Sequence, residues 1–316
     1  MATVPHGLLE ASLSLNDMLN GVNMRLGAYG AGNLSDLEKI NWINMAILGM
    51  GRRLARVFGR TVMAKSYSVT VEDSITLPTE AMSVLRVDRD GKQCKPFPLT
   101  QIGGIHAQDS TIEPSANEPY FYQVGDTIYV LPTGVTGILK VTYVASPRPV
   151  HRIVFGVCDA NADSTSITST TSALGGGAAI ASMTDDIWNR CLVEMLSGVT
   201  KGQKALVTDS TYDTDHVDLT LRSDDELTDD PSSGDRFVLS DMTDLPAEFH
   251  PLVVTDATIQ ALRAAPPPER PAQGLQEANK MEQQLNQRFG QLVATKGGQF
   301  SAYESFGGMP GGISGG

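Results

Sequence analysis

Ser146-Pro-Arg-Pro-Val150 and Asp244-Leu-Pro-Ala-Glu-Phe-His250 are the two stretches on which the reading of this chain turns. The first reads as made to run straight into the second, yet a segment of different character stands between them. Residues 150–245 are rich in Ser, Thr, Gly and Asp, and carry 17 Asp/Glu against six Lys/Arg, a net charge of −11 out of −12 for the whole chain. The frame on either side is therefore almost neutral. The chain reads as a host domain with an acidic guest inside it.

At 316 residues and 41% hydrophobic content, the chain is long enough for one large core or two modest ones. Met1–Glu10 has neither a basic start nor an apolar run of export-signal length, and no window is apolar enough for a membrane span. A soluble protein made in a cytoplasm is the expectation. The three cysteines, Cys94, Cys158 and Cys191, are far apart and have no histidine at zinc-ligand spacing, which argues against disulfides and structural zinc. The negative charge argues against gripping nucleic acid, because phosphate binding needs clustered Lys and Arg. It suits a surface that DNA must slide past.

Outward from the break, the frame alternates in period. Leu15, Met18, Leu19, Val22 and Leu26 predict a first helix, with Ser14 and Asp17 at its cap and Gly27 at its stop. Ser35 and Glu38 form an S-x-x-E box before a second helix, whose predicted stripe is Leu37, Ile40, Ile43, Ile47, Met50, Leu54 and Val57. Its last turns carry Arg52, Arg53, Arg56 and Arg60, with 52, 56 and 60 on one face. Two readings stand for that face: a solvated stripe suited to the helix C-terminal dipole, or a subunit interface pairing with an acidic neighbour. From 65 to 145 the period drops to two, as in Tyr67, Val69 and Val71 and again in Leu139, Val141 and Tyr143, and a small meander of five or six strands is expected. Helical periods return with Phe249, Leu252, Val253, Ile259 and Leu262, and after Pro266-Pro-Pro268 with Leu275, Ala278, Met281, Leu285, Phe289 and Leu292. The fold class is thus α+β: a helical bundle of two N-terminal and two C-terminal helices with a small β meander, plus an inserted all-β domain. The predicted divisions are 1–149 with 244–296 for the frame, 150–243 for the insert, and 297–316 for a flexible glycine-rich tail.

That tail holds eight glycines and one charge, Glu304, but also Phe300, Tyr303 and Phe306. A plain disordered end is one reading; a flexible docking device with aromatic anchors is the other. Catalytic motifs are missing: there is no P-loop, no G-x-S-x-G, no H-E-x-x-H and no dinucleotide fingerprint after a strand, and the histidines lie apart at 6, 106, 151, 216 and 250. No enzyme activity, cofactor or metal is expected. Asp209, Asp213, Asp215 and Asp218, and Asp224-Asp225-Glu226 with Asp229-Asp230, lack the regular spacing of a calcium loop, so turn aspartates stand against calcium ligands.

Three quotable pieces of the frame carry a resemblance. Pro119-Tyr-Phe-Tyr-Gln-Val-Gly-Asp-Thr-Ile-Tyr-Val-Leu-Pro132, then Leu139 to Pro149, then Leu245-Pro-Ala-Glu-Phe-His250 together resemble the head-to-tail adaptor (connector, head completion) proteins of tailed bacteriophages. The insert is similar to a small β module recurring in phage structural proteins, through Trp188-Asn189, Ser197-Gly198, Gly202-Gln203, a strand from Val217 to Leu221, and Pro231-Ser-Ser-Gly-Asp235. The resemblance implies a structural protein of the virion neck: a ring, most often a dodecamer, fixed below the portal and continuing the DNA channel without sequence-specific DNA binding or membrane contact. Its implied partners are further copies of itself, the portal protein, and a tail tube, nozzle or fibre protein. On that reading Phe300, Tyr303 and Phe306 dock in the portal and Arg52, Arg56 and Arg60 are subunit-interface candidates. A tail or head-decoration component built around the β module is the alternative.

Overall fold

The computed structural model describes residues 12–29, 34–58, 63–71, 73–97, 114–170, 185–213, 216–266 and 271–306, with Val71, Asp213 and residues 296–306 described by backbone alone. The architecture is α+β, with helices at both ends of the chain and sheets between. The described residues fall into two compact units. One joins the chain up to Met50 with Arg148–Leu292, and the other joins Gly51–Pro147 with the chain from Val293 onward.

In the first unit, α1 (Leu15–Ala28) opens on the predicted capping box. Ser14 Oγ accepts from the Asp17 amide at 3.2 Å, and the Asp17 carboxylate accepts from the Ser14 amide at 2.9 Å. Those reciprocal bonds satisfy amides that a helix start leaves open. All five stripe residues of α1 are buried. Helix α1 packs on α3 (His250–Ala264) at Gly21, where an added Cβ would stand 3.0 Å from Val254 Cγ1. The second helix, α2 (Asp36–Phe58), carries the other predicted box, with Ser35 N–H donating to Glu38 Oε2 at 2.8 Å.

The α2 stripe needs correction. Its buried residues are Ile43, Ala46, Ile47, Met50, Leu54 and Phe58, while Leu37 is 70% exposed and Val57 48% exposed. The buried stretch begins at Ile43 and reaches the last residue, Phe58, so Leu37 precedes it and Val57 is an exposed apolar residue beside it. Helix α4 (Pro271–Phe306) departs further from expectation. It runs beyond Gly297, where composition predicts a flexible tail, so Phe300, Tyr303 and Phe306 lie on helical backbone. Of its predicted stripe, Ala278 and Leu285 are buried and Leu275 is exposed.

Among the described residues the second unit holds eight strands instead of a five- or six-strand meander. One sheet has the order β1 (Ala64–Val71), β8 (Gly137–Ala145), β3 (Ala81–Arg89), β4 (Lys92–Gln93); the other has β2 (Ser74–Thr76), β7 (Thr127–Leu131), β6 (Tyr120–Val124), β5 (Lys95–Pro96). Neighbours in these sheets are mostly distant in sequence. Alternation tells which face is buried but carries no address for the partner strand. A shared core of Ile75, Val87, Ile128, Val130, Leu139 and Val141 lies between inward faces.

All remaining strands lie within the insert. Strands β9 (Ile153–Val157), β10 (Ser166–Thr170), β11 (Cys191–Met195), β12 (Lys204–Asp213), β13 (His216–Leu221) and β14 (Arg236–Asp241) form one antiparallel sheet in the order β10-β13-β12-β11-β14-β9. Its two edges meet. Asp159 N–H donates to Thr168 O at 2.9 Å and Ser169 Oγ to Val157 O at 2.8 Å, so the sheet curls almost into a barrel around Trp188, Phe237, Val193, Leu219 and Leu239. Closure removes the open strand edges that would otherwise recruit other chains.

The short motifs of the insert make sense as contacts. Gly198, at φ +81°, sits where a Cβ would stand 2.1 Å from Asp235 Oδ2. Asp235 in turn accepts from the Ser232 amide at 2.9 Å, and Ser197 Oγ accepts from the Arg236 amide at 2.8 Å. The S-G and P-x-x-G-D pieces are one packed corner. Gln203 reaches the acidic loop, donating to Thr228 Oγ1 at 2.6 Å and accepting from its amide at 2.9 Å. A Gly198→Ala substitution combines left-handed strain with this clash, and is expected to lower unfolding free energy by about 1–3 kcal/mol or more in a denaturant titration.

Candidate functional site

Among the described residues, the features that stand out are the attachment of the acidic segment to its helices and the exposed faces of α2 and of the β12–β13 pair. The mounting begins at Asp241, the last residue of β14. Its side chain is buried, and Oδ2 accepts from the His151 amide at 2.7 Å and the Arg152 amide at 2.9 Å. Oδ1 accepts from Arg152 Nε at 3.0 Å and lies 2.9 Å from Arg152 Nη2; Arg148 Nη2 is 3.9 Å away. Arg152 also donates to the Ile187 carbonyl and lies over the Trp188 ring, its guanidinium carbon 4.8 Å from the centroid. Burial alone would raise the Asp241 carboxyl, but the two amides and the guanidinium outweigh it and hold it below the usual Asp range. The entry and exit of the insert are thus joined by one carboxylate.

Two further residues, Asn44 and Lys204, fix the module to the helices of its unit. Asn44 of α2 grips the backbone of Val150 as a strand would, donating to its carbonyl and accepting from its amide, both at 2.8 Å. Lys204 of β12 reaches Asp17 at the start of α1, at 2.7 Å, with Glu194 at 3.6 Å. His250 fastens the exit. Its Nδ1 accepts from the Leu13 amide at 2.9 Å, and its Nε2 stands 2.9 Å from the Leu245 carbonyl, an arrangement of the neutral ring. Burial pushes its pKa below the ordinary 6.5. The histidine of the quoted L-P-A-E-F-H piece therefore ties the N-terminal segment to the segment after the module.

The sequence candidates fall in separate places. Arg52 and Arg56 are exposed on α2, one turn apart on the side opposite Leu54 and Phe58; Arg60 lies outside the described residues. Phe300, Tyr303 and Phe306 are on the final turns of α4, and their side chains are outside the description. Sequence reasoning missed Arg152, Asp241 and Asn44. Nothing in the local pattern separates Asp241 from the other acidic residues around it, because its role arises from a strand pairing.

Several aspartates of the module meet backbone amides. Asp163 Oδ1 accepts from the Thr165 and Ser166 amides at 2.8 and 2.7 Å, and the hydroxyl and amide of Thr165 pull its carboxyl below the usual range. Asp159 caps the Asn161 amide, Asp185 that of Tyr212, and Asp230 that of Ser164. Among the described residues no three His, Cys, Asp or Glu gather as metal ligands. No described helix is long and apolar enough to cross a membrane.

Residues 13–162 match the family model of the SU10 adaptor protein. The match covers a little under half of the chain, from the residue before the Ser14 cap, through both sheets of the second unit, to the loop after β9. It supports a phage adaptor-type protein. Among curated proteins none matches.

Two outcomes follow from the mounting. Asp241→Ala leaves the Arg152 guanidinium without its carboxylate, and a loss of about 3–5 kcal/mol is expected in chemical denaturation. The pH dependence has a definite sign. Because the folded-state pKa of His250 lies below 6.5, unfolding draws up a proton once the pH is under that value, and stability present above pH 6.5 declines as pH falls towards the folded value. A denaturant midpoint that drops as the pH falls below 6.5 in the natural chain, with a shallower drop in His250→Gln, is expected; Asp241 adds its own slope only at lower pH.

Proposed function

We propose that the chain is a structural adaptor of a bacteriophage virion, located at the neck, where it forms an oligomeric ring between portal and tail. The ring continues the DNA channel and docks tail or fibre components. The observation that carries this reading is the adaptor-family match over residues 13–162, taken with the order helices, sheets, helices in the structure. The role is mechanical and not catalytic, and it asks for no cofactor. Residues 150–243 act as an inserted module carried by the frame. Its three-point attachment gives it a set direction, which suits holding a second component against load.

The portal side of the reading uses the end of the chain. Phe300, Tyr303 and Phe306 serve as anchors at the tip of α4, a long helix whose apolar residues are only partly covered up to Val293. Aromatic side chains are strong anchors because each removes a large area from water. Arg52, Arg56 and Arg60 serve contacts between copies.

Mixing the purified protein with portal rings tests the reading directly. The full chain is expected to co-sediment with the rings in a fixed ring stoichiometry, while a chain ending at residue 296 loses most of that binding. Equal binding of both chains removes the anchor role, and failure of the full chain to associate with any portal overturns the adaptor reading itself.

A further inference from the structure

The outer side of α2 is a helix face without a described partner. Arg52 and Arg56 stand one turn apart, directly opposite the buried Leu54 and Phe58, and Met45, 56% exposed, lies two turns earlier on the same side by helical period. Exposed Met and Arg are the residue types that interfaces favour over ordinary surface. The two guanidiniums repel each other weakly at this spacing, and no described carboxylate is paired with either.

The opposite charge sits on the module. Strands β12 and β13 pair Thr211 with Asp218 and Asp209 with Thr220, so the two exposed carboxylates are diagonal neighbours on one outward face. Diagonal positions across an antiparallel pair are about 7–8 Å apart, close to the one-turn spacing of about 6 Å on a helix. Unlike the turn aspartates, Asp209 and Asp218 cap no described amide. They lie in the segment that carries a net −11, which raises the gain from meeting a cation there.

We infer that the α2 face of Met45, Arg52 and Arg56 docks onto the β12–β13 face of a second copy, with Asp209 and Asp218 as the paired carboxylates. The inference rests on the ring reading above and assigns the contact between neighbours. The two faces differ, so the contact is head-to-tail, and such contacts propagate around a ring when the rotation closes. Charge sets its register and encounter rate, and Met45 supplies apolar contact.

Charge reversal in the full chain tests it, read by light scattering after gel filtration. The natural chain is expected to self-associate at low ionic strength, with association weakened about tenfold or more as salt is raised from about 50 to 300 mM. Arg52→Glu with Arg56→Glu, and separately Asp209→Arg with Asp218→Arg, are each expected to weaken association about a hundredfold, while the chain carrying all four changes regains it. An equimolar mixture of the two reversed chains has matched faces at both kinds of junction and is expected to regain assembly with the two chains alternating. Circular dichroism identifies any variant that fails to fold, and Arg52→Gln with Arg56→Gln then gives the same readout with a smaller change. Reversals that leave assembly unchanged overturn this contact, and so does a natural chain that stays monomeric at low salt. Rings that form on the portal regardless of the reversals would leave the adaptor reading in place and remove only this surface.

Discussion

A buried carboxylate that is shared by the entry and the exit of the acidic segment is the constraint on which this structure rests. Asp241 closes the module by accepting from the amides of His151 and Arg152 and from the Arg152 guanidinium. Cost and benefit are both large at such a place: taking a charge out of water is unfavourable unless every lone pair is met. Here the backbone of the entry strand and a guanidinium lying over Trp188 meet it. Because entry and exit are side by side, with Ile153 paired to Ser240, a long excursion costs the frame little more than a short loop.

The module does not hang from a flexible stalk. Asn44 holds Val150 by two hydrogen bonds, Lys204 engages the capping carboxylate of α1, and His250 ties the exit to Leu13. Asp17 serves twice, closing the α1 capping box and meeting Lys204, so a residue that starts a helix also orients the barrel. An acidic barrel with a fixed bearing is a better platform for a partner than a tethered one, because less conformational freedom is lost on binding. The cysteines follow the same logic of burial: Cys191 packs under Asp241, and burial pushes its thiol up to about 12.

Local rules were legible wherever a few neighbouring residues settle the matter. The Ser14–Asp17 and Ser35–Glu38 boxes form as spaced, and the stripes of α1 and α3 are buried as written. Val150 is held by Asn44, and the six-stranded sheet begins three residues later at Ile153. The pattern misled in two places. Leu37 and Val57 are exposed apolar residues of a stripe whose other members are largely buried, and α4 keeps helical backbone through a pair of glycines that composition treats as a stop.

By itself the sequence determined the two helix caps, most of the helical periods, the acidity of residues 150–245 and the adaptor likeness, because those depend on residues near one another along the chain. Only the tertiary structure decided which strands are partners, that the two quoted motifs around Ser197 and Asp235 are one corner, and that Asp241 among many aspartates is the one with both ends of the module in its grasp. The physical reason is that strand pairing and buried charge are satisfied by groups far apart in sequence, and a side chain's type does not name the distant group that will meet it.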